Sequence, residues 1–165
     1  MNFSTPLFTI GYEGLNSAQF FEILQAHNVQ HLIDVRAIAL SRKAGFSKTA
    51  LGLACHDAQI EYTHIPSLGC PNDIRASYRL TGDWQEYTRH FLSYLATRDS
   101  DVDILLELSQ NKRCALLCFE ADANFCHRLY IAQAVQKISC GEIEIYNLNR
   151  NSIVIEESLL LPAGK

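Results

Sequence analysis

Apolar and polar positions along the chain follow two alternating rhythms. Short apolar runs of strand length take turns with segments whose apolar residues recur every three or four positions. Leu7 to Tyr12 is the first run, closed by the glycine-flanked turn Gly11-Tyr-Glu-Gly14. Asn16 and Gln19 form a capping box for a helix that turns Phe20, Ile23, Leu24 and Ala26 inward. His31 to Arg36 is the second strand, and Ser47 caps a helix through Leu51, Ala54 and Ala58. Tyr62 to Ile65 is the third strand, closed by Pro66.

Residues 67 to 82 interrupt this rhythm with Gly69, Pro71 and Gly82, and carry Arg75 and Arg79. A loop of that length in a compact domain is functional or partly helical. Asp83 and Glu86 make a second capping box ahead of the stripe Tyr87, Phe91, Tyr94 and Leu95. A further helical segment, Val102 to Leu108, follows the polar break at Arg98-Asp-Ser100. Ala115 to Phe119 is a buried strand. After it come a polar turn and a helix with Leu129, Ala132 and Val135 on one face, for which Asn124 is the expected cap. Glu142 to Leu148 alternates as a last strand at an edge.

Strands alternating with helices predict an α/β fold, with one mostly parallel sheet flanked by helices in a Rossmann-like three-layer arrangement. Residues 1–148 are expected to form that domain and residues 149–165 a C-terminal tail. The tail's apolar patch, Ile153 to Leu161, either covers the sheet or pairs with another chain.

Composition narrows the function classes. Apolar residues make up 48% and charged residues 19%, so the chain has ordinary globular usage and can bury a core. The net charge of −4 argues against a generally basic nucleic-acid surface but leaves room for a local patch. No apolar run approaches membrane-spanning length. The start, Met-Asn-Phe-Ser-Thr-Pro, lacks the charged and apolar regions of a signal peptide, so a cytoplasmic location is expected. In that compartment the six cysteines are read as free thiols.

Candidate chemistry gathers where strands end. Glu13 follows the first strand, and Asp34 and Arg36 end the second. His64 lies near the end of the third, and Glu120 follows the fourth. In an open parallel sheet the carboxyl edge is where ligands bind. Two structural roles compete with that reading. Asp34 can pair with Arg36 or another cation, and Glu13 and Glu120 can cap helices. Cys126-His127-Arg128 is expected in the first helical turn, where free amides and the dipole favour an anion or a thiolate.

Three readings of that tripeptide stay open. Cys126 can be a thiolate nucleophile, with His127 carrying a proton and Arg128 clamping an anion. Cys118, Cys126 and His127 can hold a metal, although Cys-x7-Cys-His lacks the Cys-x2-Cys spacing of structural zinc sites and needs a fourth ligand from His64, Cys70 or Cys114. Cys126 can also be a small buried hydrophobe. Adjacent residues on a helix point about 100° apart, so Cys126 and His127 are expected to have separate roles. Arg36, Arg42, Lys43 and Lys48 form a basic stretch suited to phosphate, helped by Phe46 and by Arg75 or Arg79. There is no Walker loop or dinucleotide fingerprint, and no cofactor or metal is assigned.

The motifs together resemble the domain of unknown function 488 family. They are Thr9-Ile-Gly-Tyr-Glu-Gly14, Ile33-Asp-Val-Arg36, the Arg42 to Lys48 loop, Tyr62-Thr-His64 with Leu68-Gly69, Gly82-Asp-Trp84, and Leu116-Leu-Cys-Phe-Glu120 with Cys126-His-Arg128. The resemblance spans residues 9 to about 135 and implies a small α/β domain. It implies no reaction.

The expected function is an enzyme acting on a phosphorylated substrate, a nucleotide or nucleic acid. Asp34, Glu120, Cys126 and His127 are the candidate catalytic residues. Tyr12, Glu13, Arg36, Arg42, Lys48, His64 and Arg128 are the candidate substrate-binding residues. The alternatives are a non-catalytic binding module for the same ligands and a metal or redox protein built on Cys118, Cys126 and His127.

Overall fold

The computed structural model describes residues 4–153. Five parallel strands form one sheet: β1 (Thr5–Gly11), β2 (His31–Asp34), β3 (Glu61–His64), β4 (Cys114–Cys118) and β5 (Ile143–Leu148). Their order across the sheet is β3-β2-β4-β1-β5, so β5 is indeed an edge strand. Six helices connect them: α1 (Ser17–Ala26), α2 (Lys48–Asp57), α3 (Asn72–Thr81), α4 (Trp84–Leu95), α5 (Asp99–Asn111) and α6 (His127–Ile138). The α/β fold with a parallel sheet and helices on both faces is the one expected.

Strand alternation builds two cores. Leu7, Ile33, Val35, Leu116 and Ile143 point to the side covered by α4, α5 and α6. Phe8, Ile10, Leu32, Leu117 and Leu148 point to the side covered by α1 and α2. The 67–82 excursion is mostly helical, and α3 occupies most of it. Gly69 lets the chain return against the exit of β2, since a Cβ there would lie 2.1 Å from the Ala37 nitrogen.

Helix starts follow local chemistry, with three corrections. The Asn16–Gln19 box forms in full. Ser47 does precede α2, but its side chain makes no capping bond. Asp83 caps α4 by accepting from the Glu86 amide at 3.0 Å. The return bond of that box is absent, because the Asp83 amide donates to Thr81 Oγ1 at 3.1 Å. Asn124 caps nothing: its own amide donates to Asp122 Oδ1 at 2.9 Å, which folds Ala123–Phe125 into a 3-10 turn. The long helix therefore begins at His127.

Beyond β5, residues 150–153 form a short turn beside α1, with Ser152 O 2.7 Å from His27 Nε2. The tail patch beyond Ile153 lies outside the described residues. Among the described residues, no helix is long and apolar enough to cross a membrane.

Candidate functional site

The connections leaving β1 and β4, which are neighbours, run in opposite directions across the sheet. Such a reversal opens a crevice at the carboxyl edge. The two chain exits continue side by side, with the Tyr12 amide donating to Cys118 O at 3.3 Å and the Glu13 amide to Phe119 O at 2.8 Å. Gly11 permits this approach, because a Cβ there would lie 1.7 Å from the Glu120 carbonyl oxygen. Glu13 is exposed, and its carboxylate accepts from the Ala121 amide at 2.9 Å, tying the two exits together.

Past Glu120 the chain turns and returns over the end of β4. Cys126 is extended, with φ −139° and ψ 139°, and serves as the N-cap position of α6 without a side-chain capping bond. This corrects the expected geometry. Because Cys126 is not helical, the 100° rule does not separate it from His127. Both side chains reach one point, where they meet Cys118. Cys118 Sγ and Cys126 Sγ lie 3.7 and 3.9 Å from His127 Nδ1. Glu120 Oε2 lies 3.1 Å from Cys118 Sγ and 3.2 Å from Cys126 Sγ. A sequence gap of seven residues thus closes into one cluster, and the fourth group beside it is Glu120 rather than His64, Cys70 or Cys114.

Hydrogen bonding fixes the histidine. Val35 O can only accept, so the 2.9 Å contact places a proton on His127 Nε2. In the neutral ring the Nδ1 lone pair then faces the sulfurs. Burial opposes a charge on His127, but the Cys126 thiol beside it outweighs this and raises its pKa. Burial also opposes ionisation of Cys126, yet hydrogen bonding from Cys118 and the charges of His127 and Arg128 hold it well below the usual thiol range. Cys118, hydrogen-bonded to Cys126 and buried, is held well above that range. Burial and the Cys126 charge raise Glu120. The two thiols therefore lose a first proton readily and hold the second.

Asp34 is fully buried. Arg36 donates Nε to Asp34 Oδ1 at 2.8 Å and Nη2 to Oδ2 at 2.6 Å, and Tyr62 Oη donates to Oδ2 at 2.6 Å. Arg36 Nη1 also donates to Phe46 O at 2.8 Å and Tyr12 Oη at 3.2 Å. Burial opposes the Arg36 charge, but the hydrogen bond to Asp34 and its charge overcome this and raise its pKa. Tyr12 stacks on Phe46 with centroids 4.4 Å apart. His64 Nε2 donates to Arg36 O at 2.7 Å. Arg128 is fully buried beneath the cluster. It donates to Thr9 Oγ1 (3.2 Å), Glu120 O (2.5 Å) and Ala121 O (3.3 Å).

A cavity of about 390 Å³ opens at this edge. Cys118, Glu120 and His127 line one end of it. Tyr12 and Arg36 line it too, as do Arg75, Tyr78 and Arg79 of α3 and Trp84 and Tyr87 of α4. Arg42 and Lys48 are exposed and away from it, and Asp34, Cys126 and Arg128 lie behind its walls. The aromatic wall is what sequence reasoning missed. Tyr78 and Trp84 flank Gly82, whose left-handed φ of 66° turns α3 into α4, and Trp84 stacks on Tyr87 at 4.5 Å. The signal was present in the long excursion, where Arg75 and Arg79 share one helix face.

No curated protein and no solved structure matches the chain. The family model described as "Domain of unknown function DUF488" matches residues 16–135, a span that runs from the N-cap of α1 through most of α6 and takes in the cluster and every residue of the cavity wall except Tyr12. The chain belongs to the DUF488 family.

Proposed function

We propose that the protein is an enzyme that acts on a phosphorylated substrate, a nucleotide or nucleic acid, in the cavity at the carboxyl edge of the sheet. One observation carries the reading. Arg75 and Arg79 line the same cavity into which Cys118, Glu120 and His127 open. Arg75 Nε is moreover a buried donor with no acceptor among the described residues. Guanidinium groups suit phosphate because their planar fork matches its oxygens. Tyr78 and Trp84 line the cavity with aromatic rings of the kind that stack on a base, and the cavity is in the size range of small-ligand sites.

Arg36 and Arg128 spend most of their donors on the protein itself, so they position the site and leave the anion to α3. Asp34 likewise acts through Arg36. Glu120, set between the two sulfurs, is the group to move a proton at the cavity floor, and Cys118 is the sulfur that faces the ligand. Arg42 and Lys48, exposed beyond the rim, would meet only a longer substrate such as an oligonucleotide. The free state of all six cysteines agrees with a reducing, cytoplasmic setting.

Calorimetric titration with nucleoside monophosphates, the matching nucleosides and short single-stranded oligonucleotides tests the reading. Phosphorylated ligands should bind at least ten-fold tighter than nucleosides, and the double variant R75A/R79A should lose that advantage. Binding that ignores the phosphate, or that survives the double variant, overturns it. Tight binding with no turnover of any ligand would favour the non-catalytic module.

A further inference from the structure

We propose that Cys118, Cys126 and His127, with Glu120 as fourth ligand, form a binding site for a thiophilic divalent metal ion such as Zn²⁺. The inference stands on the cluster alone and holds whether or not the cavity takes phosphate.

The donor atoms are already gathered as such an ion requires. Cys118 Sγ, Cys126 Sγ and a ring nitrogen of His127 all lie within 4.8 Å of one another. The sulfur-to-nitrogen distances are 3.7 and 3.9 Å, and the sulfur-to-carboxylate distances are 3.1 and 3.2 Å. A tetrahedral zinc ion with Zn–S of about 2.3 Å and Zn–N or Zn–O of about 2.0–2.1 Å separates its ligand atoms by roughly 3.4–3.8 Å. Small side-chain shifts therefore close Cys118, Cys126 and His127 on an ion, and Glu120, within 3.2 Å of both sulfurs but not within 4.8 Å of all three ligand atoms, swings in as the fourth donor.

Three further features suit an ion. His127 turns Nδ1 toward the sulfurs while Nε2–H is anchored on Val35 O, the backbone-carbonyl support that orients metal-ligating histidines. Cys126 stands at an N-cap position yet caps nothing, which leaves its sulfur available. Cys118, Cys126 and His127 are between 2% and 5% exposed, so water does not satisfy them, while Cys118, Glu120 and His127 border the cavity through which an ion can enter. On binding, every proton still held by the two thiols and by His127 Nδ1 is released to solvent and the metal takes the freed electron pairs, with no change of oxidation state. The carboxylate is the hardest and most replaceable donor for such an ion, and it lies on the cavity side.

The test uses the full chain, purified without a tag. Elemental analysis should give about one zinc per chain, or the stripped protein should take up one Zn²⁺ or Co²⁺. Bound Co²⁺ should show thiolate-to-cobalt charge transfer in the near ultraviolet and tetrahedral bands in the visible. Cys118→Ser and Cys126→Ser should each weaken binding at least 100-fold. Cys70→Ser, which alters a cavity cysteine outside the cluster, should leave it unchanged. If either serine variant fails to fold, His127→Gln replaces it, and the cobalt spectrum of the unaltered chain decides independently. A stripped chain that binds neither ion, a cobalt complex without thiolate bands, or binding that survives loss of both cysteines overturns the proposal. Nucleotide titration of metal-free and metal-loaded samples reports on the cavity separately, so either reading can fail alone.

Discussion

Arg36 lays its guanidinium fork against the Asp34 carboxylate, with both nitrogen-to-oxygen distances under 3 Å and neither side chain more than 6% exposed. The pair ends β2 and holds the floor on which Tyr12 and Phe46 stack. Removing one member strands a buried charge, which typically costs about 3–5 kcal/mol. Asp34→Asn should therefore lower stability by roughly 3 kcal/mol. Arg36→Lys should also destabilise, because an ammonium cannot span Asp34, Phe46 O and Tyr12 Oη together. Urea unfolding of both variants checks this, and unchanged midpoints would remove the pair from the fold's supports.

Gly11 makes a second, sharper demand. A Cβ at this position meets a backbone oxygen, not the end of a flexible side chain. Gly11→Ala should cost at least the 1–3 kcal/mol or so of an overpacked core and should shift Glu120 away from Cys118. Denaturation together with the rate of Cys118 alkylation reads both effects. A variant as stable and as slowly alkylated as the parent would mean that the two strand exits have slack.

Trp84 is the only tryptophan, and it lines the cavity. Its fluorescence should change on ligand binding with no label attached. Trp84→Ala should weaken a base-bearing ligand by about 1–3 kcal/mol, the usual worth of one stacked base, and should barely affect inorganic phosphate. Equal losses for both ligands would argue against stacking.

Glu120→Gln keeps the shape of the side chain and removes its proton chemistry. Turnover of any substrate found by screening should fall at least 100-fold, in line with loss of a general acid or base, while the unfolding midpoint stays near that of the parent. Full activity in this variant would exclude Glu120 from the reaction.

His31 gives the fold a pH dependence of its own. It is buried, with Nε2 2.8 Å from Thr63 Oγ1. Burial lowers its pKa against the opposing pull of Glu61. The folded state therefore binds this proton less readily than the unfolded chain. Its contribution is complete above the unfolded value of about 6.5 and is lost as pH falls through the lower folded value. His31→Gln should flatten the loss of stability below pH 6.5, as urea midpoints measured on both sides of that value would show. Equal pH slopes in parent and variant would discount His31.

Residues whose partners lie nearby in sequence were readable without a structure. Asn16 and Gln19 announce α1, and the alternation in Glu142 to Leu148 announces an edge strand. The candidate site was partly readable, since Glu120, Cys126 and His127 stand out by type and by place after an apolar run. Their geometry was not, because it turns on a local competition. Asp122 takes the Asn124 amide two residues on, the turn tightens, and Cys126 is left extended, so that a cysteine expected on the helix points back at Cys118. The aromatic wall was hidden for another reason. Tyr78 and Trp84 look like ordinary helix residues until the sheet order sets α3 and α4 over the ends of β1 and β4.

Arg128 carries a permanent positive charge into the interior and meets only uncharged oxygens, those of Thr9, Glu120 and Ala121. Electroneutrality then constrains whatever lies beside it. A divalent ion held by two thiolates and one carboxylate has a net charge of −1, equal and opposite to that of the arginine. A metal-free cluster reaches the same total with one ionised acidic group beside a neutral His127, or with two beside a charged one. Arg128 thus favours a net charge of −1 beside it, a balance that either retained protons or a bound metal ion can supply.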